Sequence, residues 1–388
     1  MARYIEGLER YRAGRLSCEE AAELLGVSER HFRRLRDRYE ADGAEGLIDR
    51  RRGRVSGRRA PVDQIEFVIE QYRTRYWDFT VKHFHEPLQA EHGFRLGYTW
   101  TKAVLQSRGL VRAAPKRSAH RKKRPRRPLP GMMLFQDGSQ HEWLAGQPEL
   151  DLPELDLIVT LDDATSEIYS AFVVEEEGTA SSFMGLLEVI AAKGLFSSLY
   201  TDRGSHYFLT PKAGGKVDRV HLTQVGRALA ELKIEPIPSY SPEARGRMER
   251  VFGTLQQRLP SLLRLHGVTT IAAANQYLRE VYIPEHNRRF AVAAAEEGSA
   301  FVPFLGALRE ILCIRHERVV GNDNTVRYEG RVLQIPEQRH RRHFVKVTVQ
   351  VHEYPDGTLA IFHGPRRLAG YRPAGALIEE DAVTRSAA

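Results

Sequence analysis

The sequence predicts a multidomain chain: N-terminal all-α helix-turn-helix units, a central α/β core on a mixed sheet, and a small C-terminal β-barrel. Three observations carry this prediction. Apolar residues recur at spacings of three and four through about residue 112, the helical period. Between 131 and 300, strand-like runs come first and then alternate with helix-like ones. After 340, valines alternate at period two. Charge follows the same partition. Residues 1–130 carry 30 basic and 17 acidic side chains, whereas 131–201 carry 1 basic and 13 acidic. A basic head before an acidic centre points to a polyanionic partner.

The first unit, 1–48, is read from RLSCEEAAELLGVSERHFRRLRDRYEA. Ser17 and Glu20 fit an S-x-x-E capping box. Ala21, Leu24 and Leu25 give the apolar face, Gly26 breaks the helix, and Val27 packs in the turn. Ser28 caps a second helix with Phe32, Leu35 and Tyr39 inward. Arg30, His31, Arg33 and Arg34 lie between them, so this second helix is the one to enter a DNA major groove. The linker 49–60 contains Arg51, Arg52 and Arg54 among six arginines and no acid in 50–59, a composition for an arm along a minor groove.

A second helix-turn-helix unit spans 61–112. Ile65, Val68, Ile69 and Tyr72 form a stripe. Phe84 and Leu88 mark a second helix that Pro87 is expected to end, and Thr99 is expected to cap a third, stopped at Gly109. Trp100 and Lys102 are the groove-facing candidates. His83 and His85 have no further ligands nearby to complete a tetrahedral metal site and are expected on the surface. The linker 113–130 includes Arg121, Lys122 and Lys123, in a stretch (112–127) with nine basic residues and no acid, suited to tracking phosphates.

The centre, 131–300, reads as strands at 132–137, 155–161 and 168–174, then a helix at 179–192. A strand at 195–201, a helix at 223–232, a strand at 234–237 and a long helix within 241–263 follow. The C-terminal segment, 301–388, is β-like over about 319–372. Val345, Val347, Val349 and Val351 alternate, and Pro355-Asp356-Gly357 turns the chain back. Gly214-Gly215-Lys216 lacks the spacing of a phosphate loop and reads as a turn.

Several classes are excluded. The two cysteines, Cys18 and Cys313, allow neither a disulfide framework nor a zinc cluster. The N-terminus lacks the apolar region of a signal peptide, and no run is long and apolar enough to span a membrane. A bacterial cytoplasmic, nucleoid-associated protein is expected.

Three carboxylates stand out by position. Asp137 closes the first strand of the core, Asp202 closes the fourth, and Glu249 lies early in a helix. Carboxylates converging from strand ends and a helix start repel one another unless a cation is present. Hard oxygen donors select Mg²⁺ or Mn²⁺. Two such ions are the usual device for in-line displacement at a phosphodiester.

The segments FQDGSQHEW, YTDRGSHY and SPEARGRMERVFGTLQQRL resemble the three signature segments of DDE transposases and retroviral integrases. The closest resemblance is to bacterial insertion-sequence transposases of the ISNCY type, over nearly the whole chain. It implies an RNase H-like catalytic core with Asp137, Asp202 and Glu249 as catalytic residues and ligands of two Mg²⁺ or Mn²⁺ ions. The 47 residues from Asp202 to Glu249 exceed the compact form of the motif, and the insertion at 211–218 accounts for part of this. The Asp162-Asp163 pair resembles one that does not ligate metal in such cores. Arg203, Arg245 and Arg247 are expected to meet DNA phosphates. The implied partners are double-stranded DNA, as element terminal inverted repeats and target, and further copies of the chain in a homodimer or larger synaptic assembly. The implied activity is metal-dependent strand cleavage and strand transfer. Two other readings are a non-catalytic DNA-binding regulator and an RNase H-like nuclease without strand transfer.

Overall fold

The computed structural model describes residues 2–49, 60–113, 124–144, 154–212, 215–240 and 246–378. The chain divides into two compact units, Met1–Ile69 and Glu70–Ala388. Among the described residues, no helix is long and apolar enough to cross a membrane.

The first unit opens with α1 (Ala2–Arg12), a helix not anticipated from the sequence. Then come α2 (Cys18–Leu25) and α3 (Glu29–Gly46). The capping box closes as read: Glu20 N donates to Ser17 Oγ at 3.2 Å, and Ser17 N to Glu20 Oε2 at 2.6 Å. Gly26, at φ 66°, takes the left-handed conformation that ends α2. Ser28 accepts from His31 N at 3.3 Å and starts α3. Leu8, Ala21, Ala22, Leu25 and Phe32 make the core. Leu24, expected inward, is exposed, because α1 packs on the flank of α2 that carries Ala22.

Helix α4 (Val62–Thr74) reaches across the boundary between the units. In the second unit, α5 (Val81–His92) runs through Pro87 to Gly93 instead of ending at the proline. Phe84 and Leu88, both fully buried, anchor the turns on either side of Pro87. Helix α6 (Tyr98–Ser107) starts at Gly97, without the Thr99 cap expected. His83 and His85 are buried, not on the surface. The His83 ring stacks on Phe79 at 3.9 Å, and His85 Nδ1 lies 3.1 Å from Thr101 Oγ1.

The central sheet contains β1 (Leu134–His141), β2 (Leu155–Asp162), β3 (Ile168–Val174), β4 (Ser198–Thr201) and β5 (Glu235–Pro238), in the order β3-β2-β1-β4-β5. The pairs β1–β2 and β2–β3 are antiparallel, while β1–β4 and β4–β5 are parallel. One face packs on α7 (Thr179–Lys193) and α8 (Gln224–Glu231) through Phe183, Leu186, Val225 and Leu229. The other packs on α9 (Gly246–Gln256), α10 (Leu259–Leu265), α11 (Ile271–Tyr277), a π turn (Leu278–Tyr282) and α12 (Ile283–Phe290). The long helix expected in 241–263 is therefore two helices. Arg258, at φ −127°, breaks the run just before Pro260.

Helix α10 holds the α5 segment against the core. Arg258 reaches both Glu86 oxygens, at 2.8 and 2.7 Å, and Arg264 reaches both Asp78 oxygens, at 2.8 and 2.6 Å. Arg289 joins Glu86 from α12.

After α13 (Leu308–Ile311), the tail holds β6 (Ile314–Val319), β7 (Thr325–Tyr328), β8 (Arg331–Gln334), β9 (Thr348–Glu353), β10 (Leu359–His363) and β11 (Arg366–Tyr371). A four-stranded sheet, β11-β10-β9-β6, and a two-stranded one, β7-β8, share one core, including Val326, Leu333, Val351 and Ile361. The expected closed barrel is thus two open sheets among the described residues. The period-two run in the valines enters a strand only at Thr348, because Lys346 takes a positive φ of 59°.

Candidate active site

Period two places Phe135, Asp137 and Ser139 on one face of β1 and Leu134, Gln136 and Gly138 on the other. Phe135 lies in the core with Met248, Val251, Phe252 and Leu255 of α9, so Asp137 belongs to the α9 face. Gln256 Nε2 of α9 donates to Ser139 Oγ at 3.1 Å on that face. Trp143, fully buried, donates from Nε1 to the Ser139 carbonyl at 2.9 Å and pins the end of the strand. Burying such a side chain contributes on the order of 2–3 kcal/mol.

Strand β4 runs parallel beside β1, with Leu134 opposite Leu199 and Phe135 opposite Tyr200. The pairing stops there. Asp137 lies two residues further on within β1 and Asp202 directly after β4, and both carboxylates are half-buried. Asp202 Oδ1 accepts from Gly204 N at 2.8 Å, which tightens the turn leaving β4. Tyr207, deep under this end, donates to Gln136 Oε1 at 3.0 Å. Burial first, then the charges of Glu177, Asp137 and Asp202, push its phenol well above the ordinary range.

Glu249 is exposed in the first turn of α9. At about 100° per residue it faces the flank opposite Arg247, the flank that also carries Gln256. Arg247 faces Asp163, and Gln256 reaches Ser139. Among the described residues, no three His, Cys, Asp or Glu side chains come together as a metal-holding group. The structure thus places Asp137 within β1 and Asp202 just past the adjacent parallel β4, and leaves Glu249 on the adjoining helix, outside a closed cluster. In chemical kind the donors are hard carboxylate oxygens, which fit Mg²⁺ or Mn²⁺.

The Asp162-Asp163 pair is structural. Asp162 is fully buried and accepts from Gly131 N at 2.9 Å and from Thr165 N at 2.8 Å. Burial pushes its carboxyl up despite these bonds. Asp163, equally buried, is paired with Arg124 and Arg247 and accepts from Arg127 N at 2.7 Å.

The DNA-contact candidates divide. Arg30, His31, Arg33 and Arg34 are exposed on α3, and Arg33 pairs with Glu29. Lys102 is half-buried on α6. Arg203 donates to the Gly215 carbonyl at 2.8 Å and lies 5.0 Å over the Tyr240 ring. Arg247, expected to meet phosphate, is instead turned inward: its side chain is 16% exposed and its guanidinium is occupied by Asp163 and the Arg124 carbonyl. Arg51, Arg52, Arg54, Arg121, Lys122, Lys123 and Arg245 lie outside the described residues. Sequence reading missed Gly138, Glu177, His206 and Tyr207. The only signal was their nearness in sequence to the two aspartates or to the end of β3.

Comparison with known proteins gives the following. A family model described as a helix-turn-helix domain matches residues 6–54. The chain is 32% identical over 362 residues to the putative transposase y4bF of Sinorhizobium fredii, covering 92% of this chain and 77% of that protein. It is 25% identical over 371 residues to the transposase for insertion sequence IS1202 of Streptococcus pneumoniae, covering 86% and 78%. Among solved structures, a simian T-cell lymphotropic virus intasome in complex with a PP2A regulatory subunit matches at TM-score 0.34 and 16% identity, covering 74% of this chain and 92% of that one. The HTLV-2 integrase catalytic core domain with magnesium matches at TM-score 0.28 and 16% identity, covering 39% and 89%.

Proposed function

The chain belongs to the insertion-sequence transposases, and from that premise we propose that its central domain is an RNase H-like core with Asp137, Asp202 and Glu249 as its catalytic carboxylates. The observation that supports this is that Asp137 lies in β1 on the face covered by the Glu249 helix, and Asp202 directly follows β4, the parallel neighbour of β1. Asp137, Asp202 and Glu249 would hold two Mg²⁺ or Mn²⁺ ions. When bound, these supply Lewis acidity to the attacking and leaving oxygens of an in-line displacement. The residues themselves orient. The Gly204 amide fixes Asp202, and the Gln256–Ser139 bond fixes α9 along β1.

The first displacement frees a 3′-OH at the element end, and the second joins that 3′-OH to target DNA. In the first, water displaces the 3′-oxygen, its proton passing to that leaving oxygen, and a 5′-phosphomonoester is left; in the second, the freed 3′-OH forms a new phosphodiester with a target phosphate and releases the target's own 3′-OH, so no protein nucleophile is required. The exposed cations of α3 read the terminal inverted repeat in a major groove, and the basic linkers add affinity through phosphates. Two element ends meet in a homodimer or larger assembly in the bacterial cytoplasm, at the nucleoid.

The test joins labelled end duplex to a supercoiled plasmid with Mg²⁺ or EDTA, comparing wild type with Glu249→Gln. Metal-dependent joining that the variant loses, with DNA binding retained, supports the reading. Equal joining by the variant refutes the role of Glu249. Binding without any cleavage by the wild type favours the DNA-binding regulator, and nicks without joined strands favour the nuclease.

A further inference from the structure

Gly138 directly follows Asp137 and faces the α7 side of the sheet. The Glu177 carboxylate lies against its backbone: a Cβ at position 138 would meet Glu177 Oε2 at 2.2 Å. Glu177 is held there by its own amide, which donates to Asp156 Oδ2 of β2 at 2.7 Å. Across the same carboxylate stands His206. Its Nε2 lies 3.6 Å from Glu177 Oε1 and is buried without a hydrogen-bond partner. His206 sits on the turn that begins at Asp202. A Cβ on Gly204 would meet both Asp202 Oδ1 and His206 Cε1 at 3.0 Å. The two glycines thus mark close approaches: Glu177 against the Asp137 strand, and Asp202 with His206 over the turn.

The register between β1 and β4 stops at Phe135 and Tyr200. Past that point no β-ladder fixes the separation of Asp137 and Asp202, and side chains must do so. We propose that Glu177 and His206 are positioning residues that tie the Asp202 turn to the Asp137 strand and set the spacing of the two carboxylates. The inference rests on reading those carboxylates as metal ligands. Neither positioning residue is a ligand. Glu177 acts by meeting the Gly138 backbone on one side and the His206 ring on the other. The Tyr207–Gln136 bond anchors the base of the turn independently, so losing the Glu177–His206 contact loosens the carboxylate spacing and leaves the fold standing.

The experiment measures Mn²⁺ affinity of the full chain without DNA, by water-proton relaxation, beside thermal melting in EDTA. The variants are Glu177→Gln, His206→Gln, their double, and Asp202→Asn. Each single positioning variant is expected to bind Mn²⁺ about tenfold more weakly, the usual cost of losing a group that orients a ligand. The double is expected to be no weaker than the worse single, with melting unchanged throughout. Singles that bind like wild type, or losses that multiply in the double, overturn the proposal. Glu188→Gln, which removes the Ser170–Glu188 bond at α7, controls for general softening. If it weakens Mn²⁺ in the same proportion to its melting shift, the proposal is overturned as well. Asp202→Asn separates the levels. If it binds Mn²⁺ like wild type, the ligand reading fails, and the positioning proposal with it.

Discussion

Replacing Glu86 by Ala should unfasten α5 from the core and destabilise the larger unit. Glu86 receives two hydrogen bonds from Arg258 and an ion pair from Arg289. The side chains are 21% exposed for Glu86, 13% for Arg258 and 33% for Arg289. Removing one partner of a buried ion pair costs about 3–5 kcal/mol, because the other charge stays behind. Partial exposure lowers this to roughly 2–3 kcal/mol, since water reaches the stranded guanidinium groups. In a large domain each kcal/mol lowers Tm by about 2–4 °C, so a drop of roughly 4–12 °C is expected in thermal melts at pH 7. Arg264 still holds Asp78, so the contact weakens without vanishing. The pH dependence gives a second reading. Burial pushes the Glu86 carboxyl up, but the hydrogen bonds and charges of Arg258 and Arg289 outweigh it and hold it below the usual range. Its contribution is therefore complete above the unfolded value, near ~4.3, and is lost as pH falls through the lower folded value. The gap between wild type and Glu86→Ala should close in acid. A variant that melts with the wild type at pH 7, or a gap undiminished at low pH, would refute the reasoning.

Two further outcomes follow from the same physics. Ser17→Ala removes the capping box and should cost the first unit about 1 kcal/mol, read as a lower urea midpoint; an unchanged midpoint would show the cap to be idle. Burial lowers His83 to about 3 and His286 to about 4, so both are neutral in the folded chain near neutral pH. A group whose folded value is depressed contributes stability above its unfolded value, and this is lost as pH falls. Stability should decline from about pH 6.5 downward, and His83→Phe with His286→Phe should flatten that decline in urea titrations at stepped pH. An equal slope in the double variant would assign the decline to other groups.

Local signals were legible and distant ones were not. Ser17, Glu20, Gly26 and Ser28 act within a few residues, and each does in the structure what its side chain dictates. Leu24 misled because helical periodicity does not say which flank α1 will cover. Pro87 misled because tertiary burial of Phe84 and Leu88 outweighs one lost backbone bond. His83 and His85 read as surface groups because nothing in their neighbourhood reveals that Phe79 and Thr101 receive them. The expected barrel rested on strand-like alternation, which predicts strands but not closure. At the site, Asp202 was legible as the residue that follows a strand, whereas Asp137, expected to close the first strand, lies inside β1, because the ladder with β2 carries that strand on to His141. Glu177 and His206 meet through the sheet, 29 residues apart in sequence, and no spacing rule joins them.

Strand direction explains why one pair of aspartates is a candidate for chemistry and the other is structural. Asp162 ends β2, Asp137 lies within β1 and Asp202 follows β4, and composition does not distinguish the two pairs. In the sheet, β2 runs antiparallel to β1, so Asp162 at its carboxyl end lies opposite Leu134, at the amino end of β1. Asp137 lies further along β1 beside the carboxyl end of the parallel β4, where Asp202 stands. Asp137 therefore stands three residues along β1 from the position opposite Asp162, in the direction of the carboxyl end of β4. At Asp162-Asp163, charge is met from within the chain by Arg124, Arg247 and backbone amides, and both side chains are fully buried. At Asp137 and Asp202 the side chains keep partial exposure. A buried carboxylate satisfied by guanidinium groups has little remaining capacity for a cation, whereas half-exposed ones retain it. A sequence reader who assigns strand polarity first would thus discard Asp162-Asp163 before weighing any motif.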